Sequence, residues 1–174
     1  MPESAARILV LGLGNDILTD DAVGLQVARV VRERLAGDPR IAVNATTEMG
    51  LALLDEMAGR AGVVLVDSVQ TGRAAPGFIH EIDAAELTNL SSNAPHMLGV
   101  GETLALARMV GIAMPRHVRI FAIEVADPFS LGTELTPPVR AAVASAAERI
   151  VVAARALADI AGEHDTQSSA RRPD

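Results

Sequence analysis

The chain has 174 residues, a formal net charge of −7 and a mean hydropathy of +0.29, which suits one globular domain and excludes extensive disorder. All 15 basic residues are arginine, so a Schiff-base lysine, a P-loop lysine and a serine–lysine dyad are excluded. The absence of cysteine excludes disulfides, thiolate metal sites and a cysteine nucleophile, and an acidic chain with three aromatic residues argues against nucleic-acid binding.

No targeting pattern is visible in the sequence. Residues 1–6 lack the apolar stretch and small-residue cleavage site of a secretion signal, and no apolar run is long enough to span a bilayer. We therefore expect a cytoplasmic protein without membrane insertion.

Predicted strands and helices alternate along the chain. Strands are predicted at 7–12, 41–45, 63–66, 77–82 (nearer the sheet edge) and 118–125, and helices at 21–35, 50–62, 97–110 and 136–161. This order predicts a single three-layer α/β/α domain over residues 1–162, with a central, mostly parallel twisted sheet of about five strands flanked by helices. Thr136 is expected to cap the last helix and Gly162 to stop it, and residues 163–174 are expected to form a disordered polar tail.

Function is expected beyond the carboxyl ends of the strands, as in other open α/β sheets. The first segment there is the turn 12–24, which follows a strand and opens a helix. A dinucleotide fingerprint is disfavoured because Ile17 stands where its third glycine should be. The turn ends in two carboxylates. Asp20 is interpreted as a helix cap, which leaves Asp21 free for a functional role.

Asp67 follows four aliphatic residues and so is predicted to stand at the end of a buried strand. That position is common for a catalytic or ligand carboxylate, although a turn residue bonded to nearby backbone N–H groups fits the pattern equally well. Ser68 lacks the G-x-S-x-G surroundings of a nucleophile elbow.

His96 follows a polar loop and precedes a predicted helix. With Asp21 and Asp67 it would complete a three-ligand site suited to nickel, zinc or iron(II), but the wide spacing of the three residues does not establish that they converge. Glu124, inside an apolar strand, is expected to pair with an arginine or to face the cleft in a supporting role. His80 is expected to face the sheet or its edge.

Five segments together resemble the nickel-iron hydrogenase maturation proteases, over about residues 7 to 155. The first is the strand followed by a G-x-G-N-x-x-x-x-D-[DE]-x-x-G turn, with Gly12, Gly14, Asn15, Asp20, Asp21 and Gly24. The others are VVLVDSVQTG around Asp67, His96-Met97 leading into ETLALA, IFAIEVAD, and LGTELTPPV. Asp16 replaces a residue that is usually apolar in the family, and His96 follows Asn-Ala-Pro rather than a serine- or threonine-rich lead.

The resemblance implies an endopeptidase that removes the C-terminal extension of a [NiFe] hydrogenase large-subunit precursor after nickel insertion. It implies that Asp21, Asp67 and His96 are the catalytic and metal-contacting residues. The nickel comes with the precursor, no organic cofactor is used, and the enzyme is a monomer. Whether the metal only positions the substrate, polarises the carbonyl or activates water, or an aspartate acts as general base, stays open. A non-catalytic metal- or nucleotide-binding regulatory domain on the same frame, or a spore-type protease of similar fold, is the alternative.

Overall fold

A computed structural model of the chain describes residues 7–48, 50, 52–83, 106–107 and 109–169. The strands in this part are β1 (Ile8–Leu13), β2 (Ile41–Thr46), β3 (Gly62–Val69), β4 (Ile79–Asp83) and β5 (His117–Glu124). The helices are α1 (Val23–Arg34), α2 (Ala52–Met57) and α3 (Pro137–Ser169), and a 3₁₀ turn at Asp20–Ala22 leads into α1.

The five strands form one sheet in the order β2-β1-β3-β5-β4. All neighbours are parallel except β4, which runs antiparallel to β5 at one edge. The prediction of a mostly parallel five-strand sheet with an edge strand near residue 80 is confirmed. β1 and β3 are buried along their whole length, which explains why each reads as a nearly continuous aliphatic run.

Side chains alternate between the two faces of the sheet, and each face is covered by different helices. Val64 and Val66 of β3 pack in a cluster with α1 and α3, whereas Val63 and Leu65 pack with α2 on the other side. This arrangement gives the predicted helix–sheet–helix layers.

Two glycines allow α1 to begin directly against the sheet. A Cβ atom at Gly24 would overlap the carbonyl oxygen of Leu13, and one at Gly12 would overlap the carbonyl oxygen of Gly24. Because neither glycine carries a Cβ, the 3₁₀ turn with its two aspartates is held at the end of β1.

Several predicted boundaries are wrong. β3 extends to Val69, so Asp67 lies inside the strand rather than after it. Helix α2 is shorter than the predicted 50–62. Helix α3 passes Gly162 and ends at Ser169, because one glycine costs a helix only about 1 kcal/mol and the flanking residues continue it. The predicted loop at 88–95, His96 and most of the predicted helix 97–110 lie outside the described residues.

Within the described ranges, no helix is both long and apolar enough to cross a membrane.

Candidate active site

The candidate site lies at the point where the connections of the sheet diverge. From β1 the chain passes to β2 on one side, and β3 then pairs with β1 on its other side. The carboxyl ends of β1 and β3 therefore border a crevice, which is where open α/β sheets bind ligands. The 3₁₀ turn follows β1 there, and Asp67 and Ser68 lie near the end of β3.

Asp21 and Ser68 are joined by a short hydrogen bond. The Ser68 hydroxyl donates to Oδ1 of Asp21 at 2.5 Å, a length typical of O–H donation to a charged carboxylate. Ser68 is buried and Asp21 is half-buried, so the bond fixes the carboxylate while part of it stays open to solvent. The sequence predicts no role for Ser68, because a contact between residues 47 positions apart leaves no local pattern in the sequence.

Asp67 is buried beside Ser68. Its Oδ1 accepts the backbone N–H of Ser68 at 2.8 Å. Since neighbouring strand residues point to opposite faces, Asp67 lies on the α2 face and Ser68 on the α1 face. The two predicted carboxylates thus share one strand end, with Ser68 connecting them.

The predicted third member of the site, His96, lies outside the described residues. Among the residues that are described, no three histidine or acidic side chains come together as a metal site. The convergence of Asp21, Asp67 and His96 stays a prediction. A metal bound by these two carboxylates alone would still have coordination positions for other ligands. A metal that arrives with its own ligands would need such positions.

Asp20 has a different role from the predicted helix cap. Neither the 3₁₀ turn nor α1 has a side-chain cap. Instead the fully buried Asp20 carboxylate accepts the backbone N–H groups of Ala126 at 3.0 Å, Asp127 at 2.9 Å and Thr136 at 2.7 Å. It also accepts the Thr136 hydroxyl at 2.9 Å. These donors compensate the cost of burying a charge, and they fasten the β1 turn to the loop before α3.

The same loop forms a short ribbon with the β1 turn. The Thr19 N–H and hydroxyl both donate to the Ser130 carbonyl, each at 2.9 Å. The Gly132 N–H donates to the Ile17 carbonyl at 3.0 Å, and Leu18 and Leu131 form an antiparallel bridge. The segment 17–20, next to the candidate site, is therefore held in place by hydrogen bonds to the loop before α3.

Glu124 is buried at the end of β5 and pairs with a histidine, so of the two predicted alternatives the arginine partner is wrong, and the supporting role stays a prediction. His80 on β4 lies 3.0 Å from its Oε2, as its expected position at the sheet edge allows. Oε1 accepts the backbone N–H groups of Thr71 and Gly72, at 2.7 and 2.9 Å. Burial alone would raise the pKa of Glu124, but the bonds from His80, Thr71 and Gly72 outweigh it and hold the pKa below its usual value. Glu124 thus anchors the segment that leaves β3 after Asp67.

The fold and these strand-end carboxylates define an α/β protein with an acidic site at the divergence point of its sheet. A model of the hydrogenase maturation protease family matches residues 15–153. Hydrogenase 2 maturation protease from Escherichia coli K12 is 29% identical over 151 residues, which cover 86% of this chain and 91% of that protein.

Solved structures agree with this match. The hydrogenase maturating endopeptidase HybD from E. coli has a TM-score of 0.68 at 31% identity, covering 86% of this chain and 92% of that one. The [NiFe] hydrogenase maturation protease HybD from Thermococcus kodakarensis has a TM-score of 0.65 at 25% identity, covering 85% and 99%. The chain therefore belongs to the hydrogenase maturation protease family, and it is a peptidase rather than a non-catalytic regulatory domain.

Proposed function

We propose that this enzyme removes the C-terminal extension from the nickel-loaded precursor of a [NiFe] hydrogenase large subunit. The observation that carries the proposal is the pair of carboxylates, Asp21 and Asp67, bracketing Ser68 at the divergence point of the sheet. The relatives named above are maturation proteases of hydrogenases, which supports a hydrogenase precursor as the substrate.

Nickel takes part as a component of the substrate. Carboxylate oxygens from Asp21 and Asp67, with an imidazole from His96, would complete the coordination of a metal that the precursor already holds. A precursor without metal would lack these contacts, so its scissile bond would not be positioned. Recognition of the inserted nickel thereby limits cleavage to precursors that have received it.

The buried Ser68 hydroxyl orients Asp21 rather than attacking the peptide. A nucleophile must reach the scissile carbonyl, whereas this hydroxyl is almost inaccessible to solvent and donates to Asp21. Hydrolysis then needs a water, which either an aspartate acting as general base or the substrate's nickel would activate. On the same family resemblance, we propose that the enzyme works as a cytoplasmic monomer and meets its substrate transiently.

The test uses purified precursor with and without nickel, incubated with the enzyme and weighed by mass spectrometry. We expect one defined C-terminal loss from the nickel-loaded precursor only. Asp21→Asn, Asp67→Asn and His96→Ala should each abolish that loss while preserving the circular dichroism spectrum. Asp159→Asn, a change in an exposed ion pair with Arg40, serves as the matched control and should cleave normally.

Two outcomes would contradict the proposal. Normal cleavage by all three site variants would remove the proposed roles of the carboxylates and histidine. Equal cleavage of loaded and metal-free precursor would leave a peptidase but rule out nickel as the recognition element.

A further inference from the structure

Beside the candidate site, the protein exposes large hydrophobic side chains on the ribbon between the β1 turn and the loop before α3. Ile17 is 59% exposed, Phe129 74% and Leu131 80%. Phe129 is one of only three phenylalanines in the chain, and another, Phe121, is fully buried. Leaving such side chains in water forgoes the favourable free energy of burial, so three of them on the paired segments of one ribbon point to an interaction surface.

The ribbon is a rigid surface. Its two segments are joined by the bonds of Thr19 to Ser130 and of Gly132 to Ile17, and the buried Asp20 ties their base together. Asp127 stabilises the turn at Phe129 by accepting the N–H groups of Phe129 and Ser130, at 3.2 and 2.9 Å. A preorganised surface of this kind loses little conformational entropy when a partner binds.

The ribbon is continuous with the candidate site. The Asn15 N–H donates to the Asp21 carbonyl and the Asn15 side chain accepts the Ile17 N–H, so the ribbon and Asp21 belong to one hydrogen-bonded turn. An adjoining polar groove of about 640 Å³ is lined by Asp16 and Thr133 from the ribbon ends, by Arg29, and by Ala22 next to Asp21. The groove leaves room for an extended segment beside the ribbon, and its lining includes neither Asp21 nor Asp67.

We propose that the ribbon of Ile17, Leu18, Phe129 and Leu131 is the surface on which the folded body of the precursor docks. The proposal rests on the proposed function and names the part of the enzyme that recognises protein rather than metal. The acidic side chains of Asp16 and Asp127 flank the ribbon, Glu134 next to it is paired with Arg140 at 3.0 Å, and the whole chain has a charge of −7. The complementary surface is therefore apolar with arginine or lysine at its rim. An anionic membrane is disfavoured by the same acidic rim.

The test compares Phe129→Ser/Leu131→Ser with Met109→Ser/Val152→Ser. The control pair removes hydrophobic side chains that are 84% and 65% exposed away from the ribbon. Nickel-loaded precursor is titrated against each enzyme by calorimetry, cleavage is followed by mass spectrometry, and sedimentation reports the oligomeric state. We expect the ribbon variant to weaken precursor binding and raise KM about tenfold, with kcat within about twofold of wild type. The control should match wild type, and thermal melting should show both variants folded.

Each alternative outcome separates docking from proteolysis. Cleavage and binding by the ribbon variant at wild-type levels would overturn the docking proposal and leave the proposed function intact. Ribbon-dependent binding without any cleavage by wild type would uphold docking and overturn the proposed function. No binding by wild type would overturn the docking proposal. If wild type forms dimers and the ribbon variant does not, the ribbon binds a second copy of the chain instead of the precursor.

Discussion

Two neighbouring aspartates in this protein lie in different environments. Asp20 is fully buried and accepts four donors from residues 126–136, whereas Asp21 is half-buried and accepts the Ser68 hydroxyl. The Asp20 carboxylate fastens the turn to the distant loop, whereas the Asp21 carboxylate stays partly open to solvent. Because the two residues are adjacent, the bonds of Asp20 also restrict the position of Asp21.

Asp20→Ala is therefore expected to destabilise the protein. It would leave buried N–H groups of the loop without their acceptor, at a cost of about 2–4 kcal/mol in the free energy of unfolding. Urea denaturation measures the loss. The exposed Asp159→Ala, which breaks a surface ion pair, should change stability by less than about 1 kcal/mol. Equal losses in the two variants would show that Asp20 is not a structural anchor.

The different environments of Asp20 and Asp21 could not be predicted from the sequence. Both stand in the same turn, and the donors that distinguish Asp20 lie 106 to 116 residues further along the chain. The sequence did predict polar side chains near the carboxyl ends of β1 and β3, and Asp21 and Asp67 lie there, but their role in the site stays a prediction. The partner of Glu124 was likewise missed, since His80 is brought to it only by the antiparallel pairing of β4 with β5.

At the scale of elements, the Glu124 carboxylate at the end of β5 bonds both to the edge strand β4 and to the segment after β3. The pKa of Glu124 is lowered from its ordinary value of 4.5, so the folded state favours the charged form. This contribution to stability is complete above pH 4.5 and is lost as the pH falls through the lower pKa of the folded state.

Glu124→Gln should remove this contribution. We expect the variant to be less stable than wild type at pH 7 by about 1–3 kcal/mol, because the charged acceptor of His80, Thr71 and Gly72 is lost. The difference should shrink as the pH is lowered below 4.5, and denaturation curves between pH 3 and pH 7 would measure it. A difference that grows on acidification would contradict the charged carboxylate.

Helices α3 and α1 each contain a glycine whose substitution by alanine should have opposite effects. Gly162 lies inside the helix and an added Cβ would meet no atom within 4 Å, so Gly162→Ala should stabilise the protein by about 0.5–1 kcal/mol. Gly24 lies against the sheet, and Gly24→Ala should destabilise by about 1–3 kcal/mol because its Cβ would overlap the Leu13 carbonyl. Thermal melting compares the two. A destabilising Gly162→Ala would mean that the helix stops at Gly162 after all.

For the whole molecule, the fold was more predictable than the site. β1 and β3 are covered on both faces, so their aliphatic runs are a local signal of a buried parallel strand. The alternation of strands and helices then predicts a mostly parallel sheet with few possible topologies, whereas the strand order is known only from the structure. Helix ends were less predictable, as Gly162 illustrates, because tertiary packing decides whether a helix continues.

The bonds of Asp20 to Thr136 also bear on how the chain folds during synthesis. They join Asp20, in the connection that follows β1, to Thr136, which precedes α3 and lies 116 positions further along the chain. β1 also pairs with β3, which follows it in the sequence. Contacts this distant form late in folding because of the entropy of closing the intervening loop. A chain that still lacks residue 136 cannot make these bonds, so we expect the turn of Asp20 and Asp21 to be fastened to the loop before α3 only after the residues up to 136 have been synthesised.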